Sequence, residues 1–152
     1  MSFTVKHGDM FANVTEGFIM HGCNAQGVMG SGVANIIRLR YHEAYKVYGL
    51  QYPYYILGEV IPVQVTENLT IINAITQDDY GTHKVQVDYD AVRQAMRGAL
   101  HVVDSGTFVG PKELHMPFIG AGLAGGDPDV ILEIMHEELE DSAIPATLWI
   151  YP

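Results

Sequence analysis

The chain is short of cations, nearly free of cysteine and without a long apolar run, and each shortage excludes something. Eight Lys and Arg stand against 18 Asp and Glu, a formal charge of −10. Broad nucleic-acid binding needs many phosphate-neutralising cations, so no nucleic-acid partner is expected. A small phosphorylated ligand stays open, because backbone N–H groups and helix starts hold phosphate without a basic surface. The one cysteine, Cys23, cannot build a disulfide framework or a cysteine-based zinc site within the chain. It fits a reducing, cytoplasmic setting and reads as a small buried residue rather than a nucleophile. No run reaches the ~18 apolar residues of a membrane span. Met1–Asp9 lacks the apolar core of a secretion signal, so no membrane partner is expected. The seven histidines are scattered with no His-Glu-x-x-His pattern, and Asp78-Asp79 reads as a turn, so neither metal nor cofactor is expected.

What is present is enough to fold. With 152 residues, 48% apolar and 17% charged, the chain reads as one ordered domain over 1–152, expected to act as a monomer. Short apolar runs read as strands at Phe3–Lys6, Gly17–Cys23, Gly58–Val63, Leu69–Ile75, Glu113–Pro117 and Thr147–Tyr151. Pro62 marks the third of these as short or peripheral. Three helical patterns alternate with them. Ser31 is placed to cap a run carrying Val33, Ile36, Ile37 and Arg40 on one side. Asp88 caps a run with Tyr89, Val92, Met96, Ala99, Leu100 and Val103 at steps of three and four, ended by Gly106. Asp127 before Pro128 opens a third, with Ile131, Ile134, Met135 and Leu139 as its buried stripe. Strands alternating with helices predict an α/β sandwich with a mixed or mainly parallel sheet. The stretch between Tyr41 and Tyr55 holds six tyrosines, which pack over a sheet edge or line a cleft.

Two glycine-rich loops hold the candidate chemistry. The first runs His21-Gly22-Cys23-Asn24-Ala25-Gln26-Gly27-Val28-Met29-Gly30-Ser31-Gly32, and the second Pro117-Phe118-Ile119-Gly120-Ala121-Gly122-Leu123-Ala124-Gly125-Gly126-Asp127. Each joins a strand to a helix, the arrangement that exposes backbone amides to a phosphate. Neither ends in the Gly-Lys-Ser/Thr of a Walker loop. Gly120, Gly122 and Gly125 keep the Rossmann spacing but lack the rest of that motif's setting. Asn24 can bond a sugar hydroxyl or its own turn. His21 is a structural histidine or a general acid. Asp9 accepts from a base amine or from a turn. Asp127 caps a helix, and an ionised carboxylate there also suits a base or nucleophile beside a phosphate monoester.

In this order the motifs resemble those of macro domains, the ADP-ribose-binding family. The residues that carry the resemblance are Gly8-Asp9-Met10-Phe11, Cys23 to Ala34, Ile72-Asn73-Ala74-Ile75-Thr76-Gln77 and Ile119-Gly120-Ala121-Gly122-Leu123. Within the family the chain looks most like small phage and fungal ADP-ribose 1''-phosphate phosphatases. The resemblance implies an α/β fold, a three-layer α/β/α sandwich around a mixed central sheet, and ADP-ribose or its 1''-phosphate as ligand. It implies Asp9 and the Met10 backbone at the adenine, Asn24 at the distal ribose, and Gly30, Ser31, Gly32 and Val33 around that ribose and a phosphate. The backbone of Ile119, Gly120, Ala121, Gly122 and Leu123 would cradle the diphosphate, and Tyr151 would pack near the adenine. Asp127 would activate water and His21 would protonate the leaving oxygen. Gln77 stands where relatives that release ADP-ribose from protein place a lysine, which speaks against an amine nucleophile. The alternatives are a non-catalytic ADP-ribose-binding module and a hydrolase of ADP-ribosylated protein or O-acetyl-ADP-ribose.

Overall fold

The computed structural model describes residues 2–80, 85–121 and 124–152. Its elements run β1 (Phe3–His7), α1 (Met10–Asn13), β2 (Gly17–Asn24), α2 (Gly32–Arg40), α3 (His42–Leu50), β3 (Val60–Gln64), β4 (Leu69–Gln77), α4 (Tyr89–Asp104), β5 (Leu114–Met116), α5 (Pro128–Leu139) and β6 (Ala146–Ile150). One sheet joins the six strands in the order β1-β6-β5-β2-β4-β3. Every neighbouring pair is parallel except β3 with β4. Pro62 lies on β3, the antiparallel edge strand, where the ladder it cannot donate to is open on one side.

Side-chain alternation splits the core into two layers. Phe18, Met20, Ile72 and Ala74 point to one face of the sheet, where Val92, Met96 and Val103 of α4 and Ile131, Met135 and Leu139 of α5 cover them. Ile19, Cys23, Ile71 and Ile75 point to the other, under Met10 and Phe11 of α1, Ile37 of α2, and Ala44 and Tyr48 of α3. The result is the expected three-layer α/β/α sandwich around a mixed sheet. The caps at Asp88 and Asp127 form as expected: each carboxylate accepts an amide, from Ala91 and Asp129 respectively.

Two helices were not foreseen. The turn of α1 starts at Asp9, whose carboxylate accepts from the Phe11 amide at 3.0 Å. The tyrosine-rich stretch forms α3, which buries Ala44 and Tyr48, four residues apart on one face. The α2 reading also needs correction. Ser31 is at the N-cap position, but its side chain makes no cap bond, and Ile37 alone is fully buried while Ile36 faces outward. Ile37 joins Ile19 and Ile71 in the core, so α2 is fixed to the sheet by a narrow apolar contact and not by a full stripe.

Candidate functional site

The site follows from the strand order. β2 and β5 are parallel neighbours, yet β2 leads to α2 on one face of the sheet and β5 leads to α5 on the other. Their ladder pairs only Phe18 with Leu114 and Ile19 with His115, so the two chains part beyond it. A crevice outside the carboxyl ends of strands, at such a divergence, is where open α/β sheets bind ligands. Here it is a cleft of about 630 Å³. The loop after β2 and the start of α2 form one wall, and the loop after β5 forms the other.

The first wall is held by side chains. At Cys23 and Asn24 the pairing with β4 shifts: Cys23 faces Ile75, but Asn24 faces Gln77. Thr76 is thus an extra residue, a bulge that sets Asn24 and Gln77 side by side at the cleft. The Asn24 side chain is engaged both by its own turn and by α3. Its Oδ1 accepts from the Gln26 amide at 3.0 Å, the Val28 amide at 3.3 Å and the Tyr48 hydroxyl at 2.9 Å. Its Nδ2 donates to the Val28 carbonyl at 2.8 Å. Of the two roles open to Asn24, the fold displays the turn. Beyond that turn, Gly30, Ser31, Gly32 and Val33 line the cleft. The first amides of α2 have no acceptor within their helix, and Ser31 does not cap them.

The second wall is held by backbone. The Ile119 amide donates to the Pro117 carbonyl at 2.8 Å, and the Gly126 amide to the Gly120 carbonyl at 2.7 Å. Gly120 has φ +76°, and a Cβ there would lie 2.5 Å from Val87 Cγ2. Only glycine fits both demands. Ile119 and Gly120 line the cleft and Ala121 does not; Gly122 and Leu123 lie outside the described residues.

The remaining expected residues are not at this cleft. His21 lies beneath it, buried on the α3 side of the sheet. Asn73 donates through Nδ2 to the Ala44 carbonyl at 3.2 Å, which turns its Oδ1 toward His21 Nε2 at 2.7 Å. His21 must therefore carry its proton on Nε2 and give it to Asn73. Burial lowers its pKa to about 4, against a smaller raising effect of the Asn73 bond. This corrects the role foreseen for His21: a neutral imidazole committed to Asn73 does not serve as a protonated acid for a leaving group. Cys23, 3.6 Å from that ring, is likewise a core group, its thiol pushed far up by burial.

Asp127 is also outside the lining. Its Oδ1 accepts from the Asp129 amide at 2.9 Å, and its own amide donates to the Tyr89 hydroxyl at 3.0 Å. Asp9 and Met10 follow β1, two strands from β5, with the Met10 side chain in the core. Tyr151 follows β6 and is 74% exposed. All three sit at the same end of the sheet as the cleft but farther along its edge. Among the described residues that line the cleft, none carries a charged side chain. Sequence reasoning missed Tyr48, whose signal was its spacing of four from Ala44, and Asn73, which only the strand register brings to His21.

No protein-family model and no curated protein matches the sequence. Solved structures do. A protein of unknown function from Bacteroides thetaiotaomicron superposes with a TM-score of 0.85 at 28% identity, over 99% of this chain and 98% of that one. The macrodomain of Mycobacterium tuberculosis DarG gives 0.81 at 19% identity, over 99% and 97%. Thermosipho africanus DarTG in complex with ADP-ribose gives 0.80 at 18% identity, over 97% of this chain and 41% of that one. The chain has the macrodomain fold.

Proposed function

We propose that the cleft binds ADP-ribose or a phosphorylated derivative, chiefly through backbone amides. The observation that carries this reading is the uncapped start of α2, which faces the glycine-built loop of the other wall across a cleft with no charged side chain among its described lining. Helix-start amides favour an anionic group such as a diphosphate. The ADP-ribose complex of Thermosipho africanus DarTG, part of which shares this fold, supports the choice of ligand. Isothermal titration calorimetry with ADP-ribose tests it. Saturable binding is expected; no heat at millimolar ligand overturns the reading.

A second reading, hydrolysis of ADP-ribose 1''-phosphate, is favoured by one contact. The Gly126–Gly120 bond ties the residue next to Asp127 to the cleft wall. In that reaction water attacks phosphorus, the bond to the sugar oxygen breaks, and that oxygen takes up a proton. Asp127 would orient or deprotonate the water after releasing the Asp129 amide, and the wall amides would stabilise charge on the phosphoryl oxygens. Phosphate release from the 1''-phosphate, lost in Asp127→Ala with ADP-ribose binding retained, is the expected outcome. Binding without release leaves the chain a reader of ADP-ribose.

A further inference from the structure

The hydroxyl of Tyr48 is the one buried side-chain group of α3 that reaches the cleft wall. It donates toward the Asn24 carbonyl at 2.6 Å and toward Asn24 Oδ1 at 2.9 Å. The backbone amides of Gly27 and Val28 face the Tyr48 hydroxyl oxygen. Tyr48 thus sits at the centre of the 24–28 turn from below, with no exposed surface of its own. A second tyrosine packs beside it: the Tyr55 ring stacks on Tyr48 at 5.0 Å and 28°, and the Tyr55 hydroxyl donates to the Tyr48 backbone carbonyl at 2.7 Å, away from the turn. Three donors converge on Asn24 Oδ1, two from its own turn and one from α3. The turn therefore has a brace that is remote in sequence, and the cleft-lining residues Val28 and Gly30 to Val33 follow directly from it.

We propose that Tyr48 is a positioning residue for the cleft: acting through Asn24, its hydroxyl holds the 24–28 turn in the binding-competent shape before ligand arrives. This rests on the ADP-ribose reading given above. Pre-ordering a loop lowers what binding must supply in ordering it. Without the hydroxyl, Asn24 Oδ1 keeps its two backbone donors, so the turn still forms but samples more conformations. Phenylalanine preserves the ring that packs in the core, so the fold is retained.

A double-mutant cycle with ADP-ribose calorimetry, together with amide hydrogen exchange on the free protein, tests the proposal. Tyr48→Phe is expected to weaken binding roughly tenfold, the scale of one hydrogen bond. It is also expected to speed exchange at the Gln26 and Val28 amides. Tyr55→Phe, which removes a hydrogen bond from the same ring pair but not from the turn, should stay near wild type in both. Because Tyr48 acts through Asn24, Tyr48→Phe combined with Asn24→Ala should bind no worse than Asn24→Ala alone. Additive losses, or equal losses in Tyr48→Phe and Tyr55→Phe, overturn it. If wild type itself fails to bind ADP-ribose, the functional reading falls. The brace is then judged by exchange alone, and unchanged exchange in Tyr48→Phe overturns it.

Discussion

The two walls of the cleft are built from opposite materials. The β2 wall is shaped by buried polar side chains: Asn24 folds its own turn and Tyr48 braces it from α3. The β5 wall is shaped by glycines, with Gly126 bonded to Gly120 backbone to backbone and both pressed against Val87. One wall is therefore sensitive to losing atoms and the other to gaining them. A brace made of hydrogen bonds fails by degrees, whereas a wall made of close backbone approach fails by collision. Both walls present backbone to the cleft by different means, and no charged side chain stands among its described lining.

The sharpest break is expected on the glycine wall. Gly120→Ala adds a methyl 2.5 Å from Val87 Cγ2 at a residue with φ +76°. Left-handed strain and overpacking together cost about 2–5 kcal/mol. Chemical denaturation should show this loss, with ADP-ribose binding abolished in the fraction that folds. A stable, fully binding variant would remove the steric account of that wall.

Next in size is a pH effect from beneath the other wall. His21 has a folded pKa of about 4 against an ordinary value of 6.5. Between those values the unfolded chain binds a proton that the folded chain does not. Stability therefore rises with pH across the window and falls as pH drops through it, by about 3 kcal/mol in all. Urea midpoints measured from pH 7 to pH 4 should fall less steeply in His21→Gln, whose amide can still donate to Asn73. Parallel profiles for the two proteins would show that His21 is not buried in its neutral form.

The smallest effect expected is at Asp127. Removing the cap in Asp127→Ala should cost about 1 kcal/mol by denaturation. ADP-ribose affinity should stay unchanged, because the carboxylate is not part of the cleft lining. A large loss of affinity would place that carboxylate on the ligand and narrow the contrast between the walls.

Much of the scaffold was legible in the sequence because it rests on local signals. Asp88 and Asp127 announce their helices by cap chemistry, and the apolar run at 69–75 announces β4. Pro62 marks an edge strand for a reason confined to its own backbone. The two loops were legible as cleft walls because glycines between strand and helix serve few other ends. What stayed hidden depends on register and on distant partners. His21 looks like an acid until the pairing of β2 with β4 sets Asn73 opposite it. Asn24 looks free for a sugar until α3 delivers Tyr48. The six tyrosines read only as packing over a sheet edge or lining a cleft, so the helix that carries two of them went unread; Tyr48 is wholly buried while Tyr54 is 80% exposed.

The central claim is the proposal that ADP-ribose lies between the uncapped start of α2 and the glycine-built loop after β5. Titration of ADP-ribose into isotopically labelled protein, followed amide by amide in nuclear magnetic resonance, tests it most directly. The account predicts saturable shifts with one dissociation constant at Gly30, Ser31, Gly32 and Val33 and at Ile119 and Gly120. Shifts confined to one wall, or none at millimolar ligand, would contradict it.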